Sequence, residues 1–261
     1  MTDVDFLWAH LRELPYFRSL LRAVEANYYQ GVELPEPVLD VGCGDGHFAS
    51  IAFDRPVDLG IDPDLNSLRE AQHRSAYSAL IQSDGAEMPF PDGSVGSAFS
   101  NSVLEHIPHL EAVLREVGRV LKPGAPFLFT VPNPGYRDQL SFPNWLKNLG
   151  LKSLAASYRQ WFMEMSRTIH MYEREGWQAK LADAGFEIEH SFDYFDPAAL
   201  HVLEWGHYFG APCLIPRVVL GRWIIAPQRW NLWLTERFVR RYYDPSPNEN
   251  GTYSCYLARK L

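Results

Sequence analysis

The 261-residue chain has only three cysteines, Cys43, Cys213 and Cys255. They are too few and too scattered for a disulfide framework, and no pair has the close spacing of a zinc or redox site. No metal site is expected, and a reducing compartment fits best. No stretch approaches the roughly 18 uncharged apolar residues of a spanning helix. The start carries Asp3 and Asp5 and no positive residue before Arg12, which is not the layout of a secretory signal. The expected location is cytoplasmic, with room for attachment to the inner membrane surface. Positive charge is also scarce: 24 Lys and Arg against 32 Asp and Glu leave −8, the wrong field for a protein that wraps nucleic acid. Tryptophan is missing between Trp8 and Trp145 and then recurs seven times, implying two halves with different jobs. What remains, 46% hydrophobic and 21% charged residues, is ordinary globular usage and excludes disorder.

Apolar periodicity predicts a helix over 17–28 and a buried strand over 38–41, followed by a glycine loop and a short helix over 48–53. A second strand covers 57–61 and a polar helix 65–74. Leu80 and Ile81 mark a third strand, and 95–99 a fourth. A helix stripe over 110–121 is stopped by Lys122, Pro123 and Gly124, and a fifth strand follows over 127–131. A helix over 172–184 and strands over 186–192 and 253–260 complete the pattern. Strands alternating with helices predict a mostly parallel, doubly wound, Rossmann-like α/β sheet, which binds ligands at the carboxyl ends of its strands. Within one domain spanning 1–261, residues 1–35 read as an N-terminal helical segment, 36–133 as the core, and 134–170 and 197–250 as helical cap insertions.

The segment Val38-Leu39-Asp40-Val41-Gly42-Cys43-Gly44-Asp45-Gly46-His47 places three alternating glycines between a strand and a helix. Glycine allows tight turns and close backbone approach to a ligand, although the same loop serves as a plain strand-to-helix turn. His47 stands where the dinucleotide fingerprint G-x-G-x-x-G needs its third glycine, so a pyrophosphate is disfavoured. Asp62 ends the second strand, where a carboxylate can accept both hydroxyls of a ribose. Asp84 follows the third strand, beside Gly85 and Ala86, where it can accept from an adenine amino group. Carboxylates at three successive strand ends suit a cationic ligand without phosphates.

At these residues the sequence resembles the class I S-adenosylmethionine (SAM)-dependent methyltransferases, particularly the type 11 group that includes quinone-pathway enzymes. The motifs carrying the likeness are 39–46, Asp62-Pro63, 84–90, and Val103-Leu104-Glu105-His106 before 121–125. The resemblance implies a seven-stranded sheet whose last strand is antiparallel. It also implies SAM as cofactor and S-adenosylhomocysteine as its product. Asp40, Gly42, Cys43, Gly44 and Gly46 would then hold the methionine part, with Ser100 and Asn101 lining it. Asp62 and Pro63 would take the ribose, and Asp84, Gly85 and Ala86 the adenine. The sulfonium already activates the methyl group, so the protein mainly aligns an acceptor and excludes water.

The acceptor is expected to be small or lipid-like, hydrophobic or aromatic. His106, Asn133, Tyr136, His170, Trp205 and His207 are the candidates for its pocket. Each histidine reads equally as packing, and no catalytic base is assigned. Residues 197–243 carry six arginines, and Trp230, Leu234, Phe238 and Tyr242 fall four apart along a helix. This stripe docks inward, or lines an apolar pocket, or gives 205–243 peripheral membrane contact. Nucleic acid is not expected. Two other functions share these features: a SAM-binding partner or membrane-surface module without transfer, and a NAD-dependent oxidoreductase, disfavoured by His47 and Asp84.

Overall fold

A computed structural model describes residues 4–261; Asp3 of the acidic start lies outside them. Two compact units emerge. One comprises 31–134, 161–192 and 253–261, and holds the sheet; the other draws on residues up to 30, 135–160 and 193–252, and is helical.

The chain begins with helices α1 (Phe6–Leu11) and α2 (Tyr16–Tyr28), then alternates β1 (Val38–Val41), α3 (His47–Ala52), β2 (Val57–Asp62), α4 (Leu65–Arg74) and β3 (Tyr77–Gln82). After β4 (Ser97–Asn101) come α5 (Leu110–Val120) and β5 (Pro126–Pro132). Helices α6 (Pro134–Asp138), α7 (Ser141–Asn148), α8 (Lys152–Met165) and α9 (Arg174–Asp183) lead to β6 (Phe186–Tyr194). Helices α10 (Pro197–Phe209), α11 (Leu214–Leu220) and α12 (Arg229–Val239) precede β7 (Tyr253–Lys260).

The sheet order is β3-β2-β1-β4-β5-β7-β6. β1 pairs in parallel with both β2 and β4, with Asp40 opposite Gly60 on one side and Phe99 on the other. β7 runs antiparallel to β5, as the resemblance implies. β1, β4 and β5 are buried along their whole length, because α5 lays Leu110, Val113, Leu114, Val117 and Val120 on the sheet. The chain order reverses at β1 and β4, and such a switch point opens a crevice at the carboxyl ends of the two strands. Gly42 follows one of these ends and Ser102 the other.

In the helical unit, Gly206 of α10 lets α2 approach closely, since a side chain there would overlap Phe17. The aromatic stripe of α12 docks inward only at its far end, where Phe238 meets Tyr16 of α2 edge-on and Tyr242 is half-buried. Leu232 and Val239 are its buried residues, whereas Trp230, Leu234 and Phe238 are exposed. Four-residue spacing identified the helix, but the face that packs is set by neighbours remote in sequence. No helix among the described residues is long and apolar enough to cross a membrane.

Candidate functional site

The loop after β1 is held open by three left-handed glycines: φ is 82° at Gly42, 53° at Gly44 and 71° at Gly46. Their surroundings differ. A Cβ on Gly42 would lie 2.4 Å from Val103, and one on Gly46 would lie 3.1 Å from Ala71, whereas Gly44 has nothing within 4 Å. Packing therefore explains two of the glycines, and open space the third.

Asp62 ends β2 and reaches across to this loop. One carboxylate oxygen accepts from the Gly44 N–H at 2.9 Å and the other from the Asp64 N–H at 2.9 Å. A carboxylate offers about four acceptor positions, so these two bonds leave room for two further hydroxyl donors. Burial raises the Asp62 carboxyl above the ordinary carboxylate range, with the bonds from Asp64 and Gly44 opposing. Pro63 follows it on the surface.

Asp40 sits deeper, 4% exposed, and accepts a 2.6 Å hydrogen bond from the Tyr77 hydroxyl. Tyr77 belongs to β3 and reaches β1 because β2 offers Gly60 at the crossing, where a Cβ would stand 2.8 Å from the Tyr77 ring. Burial, reinforced by Asp40, holds the Tyr77 phenol well above its ordinary pKa, so it stays a donor. Asp40 is thus a buried brace beneath the loop.

Asp84 is exposed, and its carboxylate accepts from the Ala86 N–H at 2.8 Å, forming a turn through Gly85 at φ 79°. The Ala86 N–H is therefore committed to Asp84. Ser100 donates to the Val41 carbonyl at 2.8 Å, tying β4 to β1, and Asn101 donates to Thr130 at 3.1 Å. Burial raises the Cys43 thiol far above its ordinary pKa, with Asp40 and Asp62 adding to it. Cys43 is a protonated packing residue.

The six pocket candidates divide between the units. In the sheet unit, His106 Nδ1 donates to the Arg167 carbonyl at 2.9 Å, and its Nε2 lies 3.6 Å from the buried Glu105 carboxylate. His170 Nε2 donates to the Ile107 carbonyl and its Nδ1 accepts from the Tyr172 hydroxyl, at 2.9 and 2.8 Å. Its Nε2 thus braces the β4–α5 connection. Asn133 donates to Ser254 of β7 at 3.1 Å.

In the helical unit, Tyr136 is buried. His207 Nδ1 donates to the Leu203 carbonyl at 2.8 Å, and burial lowers its pKa, leaving a neutral packing ring against Phe17. Trp205 lines a cavity of about 400 Å³ with Ser141, Phe142 and Trp145. Its indole N–H donates to Ser141 Oγ at 2.9 Å, and Ser141 donates to the buried Glu204 at 2.6 Å. Phe142 and Trp145 were missed in the sequence; a Trp and a Phe three apart on one helix were the only signal.

Comparison with known proteins points to methyltransferases. A family described as a methyltransferase domain matches residues 39–129. A "Probable S-adenosylmethionine-dependent methyltransferase" of Mycolicibacterium smegmatis is 30% identical over 177 residues, 65% of this chain and 59% of that protein. A fatty-acid O-methyltransferase of the same species is 32% identical over 117 residues, 43% of this chain and 41% of that one. The geranyl diphosphate C-methyltransferase of Streptomyces coelicolor, solved with Mg²⁺, geranyl diphosphate and S-adenosyl-L-homocysteine, covers 94% of this chain and 84% of its own at 17% identity, with a TM-score of 0.53. At that identity the likeness is one of fold. The chain spans about three fifths of the length of the curated relatives it matches. With its switch-point crevice and antiparallel β7, the chain has the fold of that solved methyltransferase, and its residues 39–129, glycine loop included, match the methyltransferase domain.

Proposed function

We propose that the protein transfers a methyl group from SAM to a small or lipid-like, hydrophobic acceptor. The observation that carries this reading is the pairing of Gly44 with Asp62: an open glycine face, and a carboxylate fixed to it with acceptor capacity to spare. These residues fit an adenosine whose ribose hydroxyls donate to Asp62, and the acidic surroundings of Asp40, Asp62 and Asp84 fit a cation. When bound, SAM supplies a methyl group already activated by the sulfonium. Gly42, Cys43, Gly44 and Gly46 would hold its methionine part beside Ser100 and Asn101, with Asp40 bracing the loop from below. Asp62 and Pro63 would take the ribose, and Asp84, Gly85 and Ala86 the adenine.

The apolar cavity at Phe142, Trp145 and Trp205 supports the acceptor class, as does the fatty-acid O-methyltransferase among the relatives. The free thiols Cys43, Cys213 and Cys255 support a reducing, cytoplasmic setting. The aromatic and arginine content of 205–243 supports peripheral membrane contact, from which a lipid-like acceptor would come.

Calorimetric titration with S-adenosylhomocysteine tests the placement. Asp62→Ala unpairs the Gly44 N–H and the ribose hydroxyls, and should weaken binding by about 1 to 3 kcal/mol. Unchanged affinity in a folded variant would remove Asp62 from the site.

A further inference from the structure

α11 buries none of its residues. Leu214, Ile215, Val218, Val219 and Leu220 are each more than half exposed, Val218 to 83%. A helix this apolar with no inward face adds little to the fold, and an apolar patch of this kind marks an interaction surface. α12, the next helix in the chain, also presents apolar side chains to solvent: Trp230 at 73% exposure, Trp233 and Leu234. Charge follows the same segment. Residues 209–243 hold six arginines against one acid, Glu236, in a chain whose net charge is −8. Glu236 is itself paired with Arg240 at 2.7 Å.

We propose that α11 and the outward face of α12 dock on an anionic phospholipid bilayer. Aliphatic side chains enter the headgroup boundary, indoles sit at its level and arginines meet lipid phosphates, which is the composition of an interfacial helix pair. A second copy of the chain is a poor occupant, because a two-fold interface would set the same arginines against one another. The inference rests on the peripheral membrane contact proposed above and deepens it by naming the helices and the lipid, while methyl transfer itself is not required for it.

The full chain is tested by flotation with phosphatidylcholine vesicles containing about 30% phosphatidylglycerol, and with phosphatidylcholine alone. The expected result is partition onto the anionic vesicles that exceeds partition onto neutral ones by more than about tenfold and falls with added salt. Val218→Glu with Val219→Glu, and separately Arg222→Glu with Arg237→Glu, should each reduce it more than about tenfold. These residues are surface-exposed or make no described side-chain bond, so thermal unfolding and S-adenosylhomocysteine binding should stay as in the parent. The proposal is overturned if the intact chain does not float, if both pairs of substitutions leave flotation unchanged, or if the chain is a dimer in solution that Val218→Glu with Val219→Glu separates.

Discussion

Gly42 and Gly44 share positive φ values but answer to different constraints. Alanine at Gly42 meets Val103 at 2.4 Å and carries the left-handed penalty as well, so Gly42→Ala should lose about 2 kcal/mol or more of stability. Alanine at Gly44 carries only the backbone penalty, about 1 kcal/mol, but puts a methyl group into the space assigned to the cofactor. Gly44→Ala should therefore keep its melting transition within a few degrees and lose S-adenosylhomocysteine affinity by about tenfold or more. If the two substitutions have the same ratio of stability loss to binding loss, the space at Gly44 is not a ligand site. Asp62 sets a pH dependence. Burial raises its pKa in the free fold, so its contribution to stability is greatest in acid and fades as pH rises through the folded value. Ligand affinity runs the other way, because ribose hydroxyls need the carboxylate. Affinity should fall on acidification from about pH 7 before an ordinary carboxylate would titrate, and Asp62→Asn should flatten the profile; a parent profile as flat as that of the variant would contradict this.

α7 shows how one side chain from a distant element fixes a helix. Leu140, at the N-cap position before it, gives no side-chain cap. Instead Glu204, fully buried in α10, accepts from the Ser141 and Phe142 N–H groups at 2.6 and 3.2 Å and from the Ser141 hydroxyl at 2.6 Å. Hydrogen bonds to a charged group are worth about 1.5 to 3 kcal/mol, and removing the acceptor strands buried donors. Glu204→Ala should cost about 3 kcal/mol in thermal unfolding and loosen the cavity that Ser141 and Phe142 line, whereas Glu204→Gln should cost less; equal losses would show that charge is not what holds the helix. This contact was not legible in the sequence, because Glu204 lies more than sixty residues from its partners. Local patterns were legible. β1, β2 and β5 read as apolar runs, and α5 as a stripe ended by Pro123. β4 was displaced by two residues, because Ser100 and Asn101 look like loop until Val41 and Thr130 are seen to satisfy them. α1 is six residues long, too short for periodicity to reveal. Of the site, the glycine loop and the strand-end acids were legible from spacing and resemblance. The Tyr77 bond to Asp40 was not, since it depends on Gly60 lying where one strand's side chain crosses its neighbour.

The sheet unit is closed by residues that come last in the chain. β7 lies between β5 and β6 and pairs with β5 along its whole length, from Pro132 opposite Tyr253 to Pro126 opposite Arg259. It buries Tyr253, Cys255, Tyr256 and Ala258, and Tyr256 stacks on Phe129 at 5.0 Å. Without β7, β6 has no path into the sheet and β5 becomes an exposed apolar edge, which invites aggregation. The connection over 211–220 is the opposite case, because neither its short turn nor α11 buries a residue. A truncation and a segment replacement of similar size should therefore differ sharply. A chain ending at Thr252 should fail to give a cooperative melting transition. Replacing 211–220 by a glycine-serine linker should move the melting temperature by no more than about 2 °C, since loop replacement costs little when no buried contact is lost. A large loss from the linker replacement would mean that α11 supports the fold and that its apolar exposure is incidental to any surface. A neutral result leaves five exposed aliphatic residues with no folding role.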